Sequence, residues 1–230
     1  MKTIGLIGGM SWESTVDYYK YINQAVNRQL GGLNSANIIL HSVNFSEIEK
    51  LQHSGDWEGT AKILKLAAKS LQQAGADCIV ICTNTMHKVA PNIERHCPLP
   101  ILHIADATAF ELKQQKISSV GLLGTKFTMQ QSFYKDKLLN DFGVNVITPS
   151  LEEQEQLHNI IYNELCKGKI VESSKHTYVK IIENLHCKGA QGVILGCTEI
   201  PLLVKSTDTT VPLFDTTFIH SEYAAKWALD

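Results

Sequence analysis

The sequence predicts an α/β protein built as two pseudo-symmetric lobes, each a central parallel sheet flanked by helices, with the active site between the lobes. Three observations lead there. Short continuously apolar runs, such as Ile79-Val80-Ile81 and Val193-Ile194-Leu195, suit strands buried on both faces. Segments with helical spacing separate these runs, and strands alternating with helices imply parallel pairing. The chain is also written twice. Ile4-Gly5-Leu6-Ile7-Gly8 returns as Val120-Gly121-Leu122-Leu123-Gly124, and the strand ending at Thr83-Asn84-Thr85 returns as the one ending at Cys197-Thr198-Glu199. Pro100–Asp106 resembles Pro212–Asp215. The three pairs keep their order and nearly the same offset, which chance rarely gives. The implied division is residues 1–103 with 216–230 as an N-terminal lobe and 104–215 as a C-terminal lobe.

Composition narrows the function. The 230 residues are 44% hydrophobic and 19% charged, ordinary for a soluble globular chain and wrong for a disordered one. A net charge of −2 leaves no electrostatic footprint for nucleic acid or an anionic membrane. No apolar run approaches a membrane span, and Met1-Lys2-Thr3 leads into a strand instead of a signal peptide. The expected location is the cytoplasm. The six cysteines, at 78, 82, 97, 166, 187 and 197, include no Cys-x-x-Cys pair. Free thiols and no structural zinc are expected.

In chain order, Ile4–Ile7 is the first strand and Gly8-Gly9-Met10-Ser11 the turn after it. The glycines allow close approach to a ligand and following N–H groups could hold an anion, with a plain tight turn as the alternative. Val16, Tyr19, Ile22, Val26 and Leu30 recur at helical spacing as a core stripe, stopped by Gly31-Gly32. Residues 37–43 read as the second strand and 47–55 as a polar stretch. Asp56-Trp57-Glu58 opens a helix whose Leu64, Ala67, Ala68 and Leu71 form one apolar stripe. Strand 78–82, a short helix, a strand near 101–104 and a further helix complete the first half. The second half restarts at 119–123. Helix 128–139, strand 144–147, a helix through Leu165, helix 174–185, strands 192–195 and 211–214, and a C-terminal helix through Trp227 follow.

In open parallel sheets, ligands bind beyond the carboxyl ends of the strands. The polar clusters Gly8–Ser11, Thr83–Thr85, Gly124–Lys126 and Cys197–Glu199 all fall there. Cys197, between a strand end and a helix N-terminus with Pro201 in the first turn, meets conditions that favour thiolate. A small buried core residue explains the position equally well. The echo at Thr83 decides between them. A repeat places Thr83 opposite Cys197 across one cleft, and inverting a stereocentre needs acid–base groups on both faces of a carbon.

Cys82-Thr83-Asn84-Thr85-Met86-His87 and Ile194-Leu195-Gly196-Cys197-Thr198-Glu199-Ile200-Pro201 resemble the paired signatures of the aspartate/glutamate racemase family, as do Gly5–Met10 and His103–Asp106. The resemblance covers the whole chain. It implies a cofactor-independent enzyme, with no pyridoxal phosphate and no metal, that holds an acidic amino acid between two lobes and forms a homodimer. It also implies that Asn84 and Thr85 bind the substrate α-carboxylate, that Thr198 is their counterpart, and that Met10 lies in the substrate loop. Lys167 falls where relatives pair a lysine with the side-chain carboxylate, with Lys169 close by. Gln52 stands in a region where some relatives have arginine, which weakens one charge-assisted contact.

Thr83 departs from the pattern, occupying the position of the family's first catalytic cysteine. Adjacent Cys82 points to the other face of its strand. A hydroxyl is a far weaker acid than a thiol, which titrates near pH ~8.5. The chain therefore resembles an L-aspartate/glutamate-specific racemase, with Cys197 as thiolate base on the L face and Thr83 in the opposite-face position. His87 is a possible shuttle, though a structural role is favoured. Asp106 and Asp215 are expected to cap helices, with thiol-orienting roles second. Glu199 is read as acid–base group or as a first-turn complement to the helix dipole. The alternatives are another single-thiol member of the superfamily, a decarboxylase or isomerase, or an amino-acid-binding module with decayed catalysis.

Overall fold

The computed structural model describes residues 1–230. The chain divides into two compact units, Met1–Ile104 with His220–Asp230, and Ala105–Ile219. The first crossing thus falls after Ile104 and the return after Ile219, against 103 and 215 expected from the repeat.

The first unit opens with β1 (Ile4–Gly8), α1 (Trp12–Leu30) and β2 (Ile38–Ser42). Helices α2 (Phe45–Ser54) and α3 (Trp57–Gln73) lead to β3 (Cys78–Ile81). A 3-10 turn (Thr85–Val89) and α4 (Ala90–Glu94) follow, and α5 (Ile104–Gln114) carries the chain out. The sheet is parallel, in the order β2-β1-β3. Ile7, Ile79 and Ile81 face a core with Leu64, Ala67, Ala68 and Leu71 of α3. Ile4, Leu6, Cys78, Val80 and Cys82 alternate to the other face, against Tyr18 and Ile22 of α1. With helices on both faces, β1 and β3 are buried throughout and read as unbroken apolar runs, whereas the edge strand β2 is only partly buried and ends in His41 and Ser42.

The second unit repeats the plan with β4 (Ser119–Gly124), α6 (Lys126–Gln130), α7 (Ser132–Phe142), β5 (Asn145–Ile147) and α8 (Leu151–Asn163). A 3-10 turn (Leu165–Lys167), α9 (Glu172–Cys187), β6 (Val193–Gly196), α10 (Ile200–Leu203), β7 (Leu213–Asp215) and α11 (Thr216–Leu229) complete the chain. Its parallel order is β5-β4-β6-β7. β4 therefore corresponds to β1 and β6 to β3. The unit-one counterpart of β7 is reduced to a single bridge, Ile79 to Ile101. That is a correction to the strand expected near 101–104, because α5 already begins at Ile104.

Other differences have local causes. The stretch 47–55 is helix α2, capped by the Asn44 side chain on the Ser46 N–H and ended by Gly55 in the left-handed region. The single helix expected over 128–139 is two, because Gln131 is extended between them (φ −78°, ψ 152°). In α1 the buried face is Thr15, Tyr18, Ile22, Ala25 and Val26, while Val16, Tyr19 and Leu30 of the expected stripe are exposed. Asp215 caps α11 by accepting from the N–H groups of Thr217 (2.9 Å) and Phe218 (3.1 Å). Asp106 does not cap; it lies inside α5 and pairs with Lys137 at 2.9 Å.

Candidate active site

Each unit offers a polar cluster at the carboxyl end of an equivalent strand, β3 in the first and β6 in the second. In the first, β3 ends at Ile81, and Cys82 turns into the core with no exposed surface. Burial pushes its thiol above the ordinary range. Thr83 follows, half-buried, in a tight turn whose N–H reaches the Ile81 carbonyl at 2.8 Å. Asn84 and Thr85 are buried, and the 3-10 turn starts at Thr85.

Gln52, on α2, is buried against this turn and donates from Nε2 to the Met86 sulfur at 3.0 Å. Met10 is buried in the same core as Met86. The structure thus brings Met10, Gln52 and the 83–86 turn together in one unit. Beside them, Gly9 adopts a φ of +88° and spends its N–H on the Thr15 hydroxyl (2.9 Å). A Cβ there would lie 2.3 Å from the Val43 carbonyl oxygen, so close packing against the end of β2 requires the glycine. This favours the tight-turn reading of Gly8-Gly9, since that N–H is already committed.

His87 is the residue whose possible roles the structure narrows most. Its Nδ1 lies 2.8 Å from the Thr83 carbonyl oxygen, and its Nε2 accepts the Ile104 N–H at 3.2 Å. A carbonyl only accepts, so Nδ1 carries the proton. Both nitrogens are committed to backbone, which leaves none to shuttle a proton.

In the second unit Cys197 continues the inward parity of Val193 and Leu195 into a core with Tyr178, Leu165 and Ile200. Its thiol donates to Oε2 of Glu199 at 2.9 Å. The Thr198 hydroxyl donates to the same oxygen at 3.0 Å. Burial, and then the negative charge of Glu199, push the Cys197 thiol well above its ordinary value. This corrects the expectation of a resting thiolate. The helix meant to favour thiolate, α10, is only four residues long, so little dipole opposes the desolvation. Glu199 is 2% exposed and spends its carboxylate on these donors, making no side-chain cap to α10.

Lys167 ends the 3-10 turn that packs on α10, the helix just after Cys197, so the structure keeps both in one neighbourhood of the second unit. Lys167 and Lys169 are both exposed and neither forms an ion pair. Gly168, at φ +67°, separates them. The residue that sequence reasoning passed over is Tyr178, fully buried in the Cys197 core with a hydroxyl that has no hydrogen-bond partner. Its place in a helix stripe gave no sign of that. No group of three or more His, Cys, Asp or Glu side chains is arranged to hold a metal ion.

The site residues thus sit on two doubled parallel sheets, with a Thr-Asn-Thr turn after β3 and a buried Cys-Thr-Glu after its counterpart β6. The chain belongs to the Asp/Glu/hydantoin racemase family, whose model matches residues 7–224. Over its full length it is 57% identical to a candidate Asp/Glu racemase from Yersinia pestis, covering 100% of both chains with a TM-score of 0.92. An aspartate racemase homologue from Pyrococcus horikoshii is 39% identical, with 100% of both chains covered and a TM-score of 0.84. A broad-specificity amino-acid racemase from Bacillus subtilis is 22% identical over 217 residues, 92% of each chain. No helix is long and apolar enough to cross a membrane.

Proposed function

We propose that the protein racemises or epimerises acidic amino acids, L-aspartate and L-glutamate, without pyridoxal phosphate or metal. The observation that carries the reading is the pair of equivalent strand ends, one bearing Thr83 and the other Cys197, in a chain of this family. Cys197 removes the α-proton on the L face. Thr83 occupies the opposite-face position. Asn84 and Thr85, with Thr198, receive the α-carboxylate, and Lys167 receives the side-chain carboxylate.

The 2.9 Å contact between Cys197 and Glu199 supplies the missing step. A thiol at rest cannot accept a proton, so it first passes its own to the Glu199 carboxylate. That leaves a thiolate beside a neutral carboxylic acid. The thiolate then takes the α-proton, and the carbanion is reprotonated from either face. General acid–base assistance of this kind is worth roughly 10²–10⁴-fold in rate.

The side chains that favour an acidic substrate are cations without partners, Lys167 and Lys169. A homodimer fits the exposed apolar row Trp12, Val16 and Tyr19 on α1, and the proposed location is the cytoplasm. The test is incubation with each L- and D-amino acid in deuterated water, read by proton NMR at the α-carbon. Exchange with aspartate or glutamate that disappears in Cys197→Ser supports the reading. Binding without exchange makes the protein a sensor, and exchange confined to neutral amino acids removes the acidic substrate.

A further inference from the structure

Beneath the Thr83 turn, two buried histidines are held in opposite tautomers. His87 gives its Nδ1 proton to the Thr83 carbonyl and accepts the Ile104 N–H at Nε2. His220 lies with its Nε2 2.6 Å from the Leu102 carbonyl, so that nitrogen carries the proton, and its Nδ1 faces the Tyr18 hydroxyl at 2.9 Å. The rings are neighbours, 5.8 Å apart at 60°. The segment they grip is fixed independently. Ile79 of β3 donates to the Pro100 carbonyl and accepts the Leu102 N–H, both at 2.9 Å.

A closed frame results. The sheet holds residues 100–102 through Ile79, and His220 holds Leu102. His87 then ties residue 104 back to the turn that leaves the same strand. Without it, the Thr83 carbonyl would be an acceptor at a strand end with no sheet partner.

We propose that His87 is a positioning residue, a neutral strut that fixes the Thr83-Asn84-Thr85 turn through its Nδ1–H bond to the Thr83 carbonyl, while the Ile104 amide keeps Nε2 an acceptor and so keeps the proton on Nδ1. Burial, with the rings of His103 and His220 close by, disfavours its protonation, so both bonds keep their sense. The inference rests on the proposed function for what the turn does, and on geometry alone for how it is held. Misplacing a binding or reacting group by about 1 Å costs about 100-fold in rate, which is why a strut matters.

Two substitutions separate its ends. In His87→Asn the amide nitrogen stands where Nδ1 was and still donates to the Thr83 carbonyl, but nothing reaches Ile104. In His87→Gln the amide oxygen stands where Nε2 was and accepts from Ile104, but Thr83 is released. We expect His87→Asn to keep α-hydrogen exchange of L-aspartate and L-glutamate within about threefold, and His87→Gln to fall on the order of 100-fold in kcat/KM. Equal activities in the two variants would overturn the proposal, because a space-filling histidine does not distinguish them. Nitrogen NMR of the unsubstituted protein should find the His87 proton on Nδ1, and a proton on Nε2 would overturn it too. If the unsubstituted protein exchanges no amino acid, the functional reading fails by itself. The strut is then decided by that tautomer and by the Ile104 amide, which should stay protected from hydrogen exchange in His87→Gln and lose protection in His87→Asn.

Discussion

The Cys197 sulfur and Glu199 Oε2 are 2.9 Å apart, the thiol donating and the buried carboxylate accepting. In the proposed function this contact makes Glu199 the partner that takes the thiol proton before Cys197 acts as a base. Glu199→Gln keeps the shape and removes the basicity. L-isomer α-exchange should fall about 100-fold with little change in melting temperature. A loss below threefold would return Glu199 to a structural role.

The same contact fixes how Cys197 meets electrophiles. It is 7% exposed, and burial and Glu199 both hold it as thiol, whereas Cys187 is exposed. Iodoacetamide at neutral pH should label Cys187 first and Cys197 at least about tenfold more slowly. Peptide mass spectrometry of a labelling time course checks this. Cys197 labelling first would indicate a resting thiolate.

Lys167 is the proposed partner of the side-chain carboxylate, with Lys169 as the alternative. A lysine facing a second carboxylate makes a charge-assisted hydrogen bond, stronger than a neutral one. Lys167→Met should cost aspartate and glutamate at least about tenfold in kcat/KM while sparing neutral amino acids. If Lys169→Met has that effect and Lys167→Met does not, the specificity residue lies beyond Gly168.

The two buried histidines make stability depend on acid. Burial holds His220 down to about 4, against the Leu102 carbonyl, which favours its protonated form; burial first, then His103 and His220, hold His87 well below its ordinary value. An unfolded histidine titrates near ~6.5. The folded state therefore binds fewer protons, so this stability is complete above ~6.5 and is lost as the pH falls towards the folded values. His220 alone should contribute a loss of about 2 kcal/mol between about pH 7 and pH 5. Urea unfolding at the two pH values should show the loss, and His220→Gln should flatten it. An unchanged slope in that variant would place the acid sensitivity elsewhere.

The inner strands were legible because β1, β3 and β6 are buried along their whole length, leaving an apolar run as their trace; Val193-Ile194-Leu195 could be little else. Helix α1 was legible in kind and misjudged in phase. Two apolar rows run along it at similar spacing, through Tyr18, Ile22 and Val26 and through Trp12, Val16 and Tyr19, and periodicity cannot choose between them. Helix α2 was hidden because, of 47–55, only Ile48 and Gln52 are buried. At the candidate site, Thr83 and Cys197 were legible from the repeat, since equivalent strand ends carry them. The protonation of Cys197 was not. It depends on Glu199 folding back over the sulfur and on the core around it, which residue order does not specify.

The central claim is that one base is a thiol and its opposite is a hydroxyl, so the two faces of the substrate α-carbon are served unequally. In deuterated water the α-hydrogen of L-aspartate or L-glutamate should exchange fast and D-product should accumulate slowly, because the Cys197 thiol trades the proton it took for solvent deuterium and mostly delivers that deuterium back to the L face. The D-isomer should exchange slowly from its own face. Both directions obey one equilibrium constant near unity, so the handicap is kinetic only. The measurement is proton NMR of α-exchange for each isomer, in the unsubstituted protein and in Thr83→Cys. The account predicts L-exchange faster than D-exchange by at least about tenfold, and a rise in D-exchange and overall racemisation on Thr83→Cys. Equal L and D rates in the unsubstituted protein, or no gain in D-exchange from Thr83→Cys, would contradict it.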